Sequence, residues 1–282
     1  MFNSFSKSIL FAPLLSLLLG GVLVVSCGDD DNEEDVQTSS SNQNGGSNDS
    51  GSENVFPGIV YTVNGVSFKM IAVKGGTFQM GSDDWYYNEL PVHRVTLSDY
   101  YIGETEVTQE LWSAVMGSNP SNFTGDMQHP VKRVSWDDCQ TFISRLNELT
   151  GETFRLPTEA QWEYAARGGN KSKGYTYSGS NVIDDVAWYY SNSSSTTNPV
   201  KTKVPNELGI YDMTGNVWEW CSDWYDFYSS AAQTDPTGPA KGSYRVSRGG
   251  SWSINATFCR VAYRNAYTPT DSDNDLGLRL AH

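Results

Sequence analysis

Apolar and polar positions alternate through "VSFKMIAVKGGTFQMGS", residues 66–82, a pattern that predicts two strands forming a pair with a turn at Gly75-Gly76. A further strand follows in "PVHRVTLSDYYIGETEVT", where Val92, Arg94, Val95 and Leu97 mark it. The period then lengthens to that of a helix. "TQELWSAVMG" reads as a helix stopped by Gly117, with Pro120 just beyond. "SWDDCQTFISRLNELTG" opens on Ser135 with Asp138 three residues on, a capping-box start, and presents Cys139, Phe142, Ile143, Leu146 and Leu149 at helical spacing. "PTEAQWEYAARGG" repeats the relation with Thr158 and Gln161 and stops at Gly168-Gly169. From there to His282 the helical signal vanishes into glycines, aromatics and short polar runs. A domain so rich in loops needs pins, and the tryptophans are the candidates, above all Trp218, Trp220, Trp224 and Trp252.

The first 54 residues follow no such pattern. Ile9 to Val25 is an apolar run behind Lys7, interrupted by Pro13, Ser16 and Gly20-Gly21, and it ends in "VVSC". The interruptions suit a signal peptide over residues 1–26 better than a spanning helix, with an uncleaved signal anchor as the alternative. The ending resembles a bacterial lipobox, which implies lipidation of Cys27 and a lipid anchor in the membrane. "GDDDNEED" and a Ser-, Asn- and Gly-rich stretch to Asn54 follow and have nothing with which to build a core. Residues 27–54 are therefore expected to be a disordered tether reaching on the order of 30 Å. The acidic run resembles the surface-export signals of Bacteroidetes-type lipoproteins, or is simply a solvated linker. The expected location is the outer membrane, at the cell surface, with a periplasm-facing position as the alternative.

Residues 55–282 are enough for one domain with its own core. The formal net charge of −14, with no basic stripe, argues against nucleic acid and anionic membrane surfaces as partners. Three histidines, His93, His129 and His282, with no pair at ligand spacing, argue against zinc and non-haem iron. P-loop, GxSxG and HExxH patterns are missing from the sequence. Asp137-Asp138 and Asp184-Asp185 are adjacent pairs whose side chains diverge, so they suit capping or solvation better than acid/base work.

Seven stretches occur in a telling order: "GGTFQMGS", "PVHRVTLSDYYIGETEVTQELW", "PVKRVSWDDCQTF", "FRLPTEAQWEYAARGG", "GIYDMTGNVWEWCSDWY", "RGGSW" and "NDLGLRLA". Together they resemble the sulfatase-modifying factor, or formylglycine-generating enzyme, family over roughly residues 66–282. The resemblance implies an α+β, loop-rich, C-type-lectin-like fold with little regular secondary structure. It also implies a reaction, the oxidation of a cysteine in a sulfatase peptide by Cu(I) and O₂, with two cysteines five residues apart holding the copper. Cys259 matches the second of these and Ile254 stands at the first. An aliphatic side chain has no donor for a soft metal that favours two thiolates, and Ser253 is a poor substitute, so copper is not expected to bind. Cys259 is then a reactive thiol in a non-standard enzyme or, as favoured here, half of a structural disulfide with Cys221.

The resemblance further matches Asp212, the carbonyls of Gly215 and Val217, and Glu219 to a structural calcium site of the family. Alternatively, Asp212 and Glu219 cap turns or pair with arginine. The last 35 residues are also similar to the variable regions of diversity-generating retroelement target proteins. In that frame Gly249, Gly250, Ser251, Trp252, Cys259, Arg260, Arg264 and Gly277 are constant. Ser253, Ile254, Asn255, Thr257, Tyr263, Ala266, Tyr267, Asp271 and Asp273 are candidate ligand-binding positions, and Phe258, also a candidate, is expected to be buried. Short polar groups mixed with aromatics on loops are paratope chemistry, although such residues also pack last strands. The reading that results is an exported ligand-binding lipoprotein whose partner is an extracellular protein or glycan. A sulfatase-modifying oxidoreductase and a structural component of a cell-envelope assembly are the alternatives.

Overall fold

The computed structural model describes residues 58–84 and 86–282. The expected signal peptide, Cys27 and the tether lie outside the described residues. Among the described residues no helix is long and apolar enough to cross a membrane.

The chain enters as a hairpin. β1 (Ile59–Val63) and β2 (Val66–Val73) are antiparallel. The two residues between them, Asn64 and Gly65, both have positive φ, at 48° and 83°, as a hairpin turn that follows the strand twist requires. β3 (Gly76–Met80), β4 (His93–Leu97) and β5 (Tyr100–Gly103) follow. The strands expected across Gly75-Gly76 do form, but they do not pair with each other. β2 joins a sheet of order β1-β2-β5, whereas β3 pairs with β4 in another. The reason is at Gly75, whose N–H donates to Asp99 Oδ1 at 2.8 Å. A Cβ there would lie 2.3 Å from the Leu97 carbonyl oxygen. The glycine pair therefore carries the chain past the β4–β5 turn from one sheet to the next, and local alternation cannot distinguish that crossing from a hairpin.

The three predicted helices are present with their predicted caps. α1 (Gln109–Met116) starts at Thr108, whose hydroxyl accepts from Leu111 N, and ends at left-handed Gly117. α2 (Trp136–Thr150) and α3 (Glu159–Ala166) both carry full capping boxes, Ser135 with Asp138 and Thr158 with Gln161. On α2, Cys139, Phe142, Ile143 and Leu146 are buried as expected, but Leu149, at the edge of the apolar arc, is 51% exposed. α3 is buried along its whole length, Glu159 and Glu163 included.

After α3 the chain runs through loops and the short α4 (Ile183–Val186). It then builds strands that the sequence pattern left as loop: β6 (Trp218–Trp224), β7 (Gln233–Thr234), β8 (Arg245–Arg248), β9 (Arg264–Tyr267) and β10 (Leu276–Gly277). β10, β6, β8 and β9 form one sheet in that order, and β7 completes the β3-β4 sheet. The last residues are sewn in as well, with Ala281 bridging to Ile102 and to Arg155. Two large apolar clusters result, beside a small one of Ala187, Tyr189 and Cys259. One gathers α1 and α2 around Trp112, Phe142, Leu146 and Trp220; the other gathers α3 against β3, β4 and β8 around Trp162 and Tyr100. Trp218 and Trp220 pin the loops from inside, as expected, while Trp252 is only partly buried.

Burial on α2 sets a contrast between two leucines of one helix. Leu146→Ala should cost about 2–5 kcal/mol of unfolding free energy in urea titration. Leu149→Ala should stay within about 0.5 kcal/mol of the parent.

Candidate functional site

The C-terminal segment from Arg248 to Gly277 is held by arginines whose partners come from distant parts of the chain. Arg248, fully buried, donates to Glu159 Oε1 at 3.1 Å and Glu163 Oε2 at 2.5 Å, and to the carbonyls of Val261 and Ala262. Arg264 takes both oxygens of Glu159 at 2.6 and 2.7 Å. Arg260 takes both oxygens of Glu89, and Arg279 takes both of Glu219. Fork-to-fork pairing of this kind fixes direction as well as charge. Burial would push Glu163 up, but the Arg167 and Arg248 guanidinium groups win and hold its carboxyl below the usual range.

On that frame the candidate positions separate by exposure. Gly249, Gly250, Ser251, Cys259, Arg260, Arg264 and Gly277 are all buried. Gly250 has φ 80°, and a Cβ on it would meet Cys259 Sγ at 2.5 Å. One on Gly277 would meet the Val131 carbonyl at 2.4 Å, so neither position has room for a side chain. The candidate binding positions behave oppositely. Asn255 and Asp273 are exposed, and Ser253, Ile254, Thr257, Tyr263, Ala266, Tyr267 and Asp271 are partly exposed. Ser253 and Ser251 hydroxyls both donate to Asp275 Oδ2 at 2.6 Å, which ties the loop back to its own return strand. Phe258, expected to be buried, is only partly so. Its ring meets Tyr263 edge-on at 5.1 Å and Tyr86 at 6.2 Å, making an aromatic group that includes residues from before β4.

Ile254 and Cys259 do come together. Cys259 lies in a small cluster with Ala187 and Tyr189, and Ile254 packs against it. Burial pushes the Cys259 thiol up to about 12. A protonated thiol beside an aliphatic chain does not fit Cu(I), which needs a thiolate pair. The expected Cys221–Cys259 disulfide does not form. Both are free and buried, Cys221 in the α3 cluster and Cys259 in the cluster of Tyr189, so each sulfur packs as a small apolar group in a different place.

The four positions matched to calcium share the turn into β6. Glu219, however, is already engaged, accepting from Arg279 and from Trp162 Nε1 at 2.6 Å. Asp212 Oδ2 accepts Lys201 N at 2.8 Å. The sequence reading missed Glu106, a buried carboxylate that accepts from Asn216 Nδ2 and Val217 N. Burial raises Glu106 well above the usual carboxylate range, and the charges of Asp212 and Glu219 add to this; burial raises Asp212 to about 6. No group of three or more His, Cys, Asp or Glu side chains among the described residues converges as a metal-ligand set.

A second place went unnoticed in the sequence. A cavity of about 360 Å³ is lined by His93, Asp223, Trp224, Tyr228 and Arg264, among others. Asp223 accepts Glu159 N at 3.0 Å and the Ser222 hydroxyl at 2.9 Å, and burial, then the charge of Glu159, raises it to about 7. No spacing rule links Met80, His93 and Asp223, so this grouping exists only in three dimensions.

Comparison with known proteins agrees with this frame. The family model for the sulfatase-modifying factor enzyme 1-like domain matches residues 63–282. The chain belongs to the FGE-sulfatase family. The family thus supplies the α+β fold described above, with its modest content of helix and strand. Among its relatives, the chaperone protein LppX of Paenibacillus barcinonensis is 35% identical, over 76% of this chain and 89% of that one. The formylglycine-generating enzyme of Streptomyces coelicolor is 32% identical, over 75% of this chain and 88% of that one. Among solved structures, Treponema denticola variable protein 1 superposes with a TM-score of 0.74 at 38% identity, covering 79% of this chain and 98% of that one. So FGE-sulfatase domains closely similar to this one carry names of quite different kinds.

The raised carboxyl of Asp223 has a signed consequence for stability. The folded protein keeps that proton up to about pH 7, whereas an unfolded aspartate releases it near 3.9. Stability contributed at low pH is therefore lost as pH rises between about 4 and 7, by a few kcal/mol at most. Asp223→Asn should flatten the fall in Tm between pH 5 and 8, measured by calorimetry. An unchanged slope would show that Asp223 titrates normally.

Proposed function

We propose that this FGE-sulfatase domain is a ligand-binding protein displayed at the cell surface, without copper oxidase activity, whose recognition surface is the C-terminal stretch from Ser253 to Asp273. The observation that carries the reading is the division by burial. Positions read as constant, Trp252 excepted, sit inside, held by ion pairs and close glycine contacts, while positions read as variable reach solvent at least in part. The polar ones among them, such as Asn255, Thr257 and Asp273, lie outside the apolar clusters, whereas Ile254, Tyr263 and Tyr267 reach solvent with one side and pack on the core with the other. The name of the Treponema denticola relative, variable protein 1, agrees with a surface that tolerates change on this fold. A C-type-lectin-like ancestry, a lipid anchor at Cys27 and diversification of the C-terminal codons belong to the same reading. The partner is an extracellular protein or glycan, met by tyrosines and short polar groups.

Ile254 supports the loss of oxidase chemistry, since it packs against Cys259 where a second thiolate would be required. Incubation with copper, O₂ and a Cys-x-Pro-x-Arg peptide should leave the peptide mass unchanged. Formylglycine in that peptide would overturn the reading in favour of an oxidoreductase. In parallel, combined substitution of Asn255, Thr257 and Asp273 should shift Tm by no more than a few degrees, while Gly250→Ala alone should lower it by far more.

Calcium enters this reading on charge alone. Glu106, Asp212 and Glu219 share the one Arg279 guanidinium, and burial holds Glu106 and Asp212 toward their protonated forms, whose protons a cation would displace. Calcium saturating the turn at a hundredfold excess over Kd would raise stability by about 2.7 kcal/mol. Thermal melts in calcium and in a chelator should differ accordingly for the parent and agree for Asp212→Asn; identical parent melts would remove calcium from the reading.

A further inference from the structure

Lys132 is not used by the arginine frame. It is fully buried, and its Nζ has no hydrogen-bond partner. An ammonium carries three donors, and burying all of them without an acceptor is costly enough to call for a reason. What surrounds it is aromatic. Nζ stands 3.5 Å from the centroid of the Phe123 ring and 5.7 Å from that of Trp252, and the two rings meet edge-on at 6.2 Å. Both rings attract the cation by their faces, but neither accepts its hydrogen bonds in full.

Three further observations set this group apart from ordinary packing. Phe123 is 42% exposed although its ring covers the ammonium. Its backbone is left-handed, at φ 64°, a conformation bulky residues rarely adopt and one that collects at binding sites. The neighbouring Asn122 Oδ1 is also buried without a partner. Trp252, the other wall, belongs to the C-terminal segment, and its carbonyl and N–H are fixed by Ser193 and Asn216. Lys132 therefore lies under one edge of the proposed recognition surface, capped by a strained and partly exposed ring.

We propose that Lys132 is an anion-accepting subsite of that surface: Phe123 turns aside, a carboxylate of the ligand takes the Lys132 ammonium, and the ligand's aromatic or apolar part lies on Trp252. The inference rests on the reading that the C-terminal loops face a ligand. A carboxylate fits better than a sulfate or phosphate dianion, because Asp275 is close enough to interact with Lys132 and the loop beside it carries Asp271 and Asp273. Asp275 does not fill the role itself, since its Oδ2 is taken by the hydroxyls of Ser251 and Ser253.

The test needs no knowledge of the natural partner. In protein with ¹³C-labelled lysine, the Lys132 ε-methylene should resonate upfield under the Phe123 ring current. Benzoate should move it saturably toward the ordinary lysine position, and sulfate at equal ionic strength should not. Phe123→Ala, which removes the cap from an exposed position, should tighten benzoate binding at least threefold, and Trp252→Ala should weaken it at least threefold. No saturable shift with benzoate would overturn the proposal and leave Lys132 as a cation that only holds Phe123 in place. Weaker binding by Phe123→Ala, or sulfate matching benzoate, would overturn it equally. Because the readout is a small anion at one lysine, its failure is distinct from failure of the surface-recognition reading, which the peptide assay decides.

Discussion

The structure depends on guanidinium groups buried against carboxylates. Arg248, Arg264 and Arg279 are almost wholly removed from water, as are their partners Glu159, Glu163 and Glu219. Desolvating such ions costs several kcal/mol each, and the attraction offsets this only when the geometry is complete. It is nearly complete here, because other N–H groups donate to backbone carbonyls: Val261 and Ala262 for Arg248, Asn88 and Asp226 for Arg264, Gly103 and Tyr211 for Arg279, with Arg248 Nε left without a partner. Arg264 and Arg279 thus each tie several loops to one carboxylate, and Arg248 ties them to two, Glu159 and Glu163. A domain with few long strands needs such ties, since its sheets alone supply little of the order.

The same pairs fix the backbone of the C-terminal segment from within. Arg260 and Arg264 flank the partly exposed Tyr263 and anchor the backbone on either side of it through Glu89 and Glu159. Gly250 lets the Cys259 sulfur approach the chain, and Asp275 ties down Ser251 and Ser253. Position of the loop is therefore set from below, by groups that do not reach solvent. Chemistry at its surface is left to exposed residues such as Asn255 and Asp273 and to partly exposed ones such as Tyr263 that also pack on the core, a partial separation of scaffold and site.

Cys259 illustrates how a cysteine can serve packing alone. Its thiol is buried beside Ile254, Ala187 and Tyr189 and is held protonated by that apolar setting. A sulfur in such a pocket packs like a methyl group. Its retention needs no catalytic explanation, because Gly250 already fits closely around it.

Much of the fold was legible in the chain. Capping boxes at Ser135 and Thr158 and the stop at Gly117 are local signals, and local hydrogen bonds realise them wherever the helix ends up. The missing donor at Ile254 was equally plain, because coordination chemistry depends on which atom is present. Pairing was not legible. Residues near Gly75 alternate as a hairpin would, yet β2 and β3 belong to different sheets, a matter decided by the Leu97–Asp99 backbone next to the glycines. Cys221 and Cys259 could have bonded on sequence grounds, and only packing placed them in separate clusters. The cage of Phe123 and Trp252 over Lys132, and the rise of Asp223 to about 7, depend on burial among segments far apart in sequence. Residue type and short-range spacing determined the helices, the family and the absent metal ligand. Tertiary structure alone decided partners, exposure and protonation, because those follow from what the surrounding chain excludes from water.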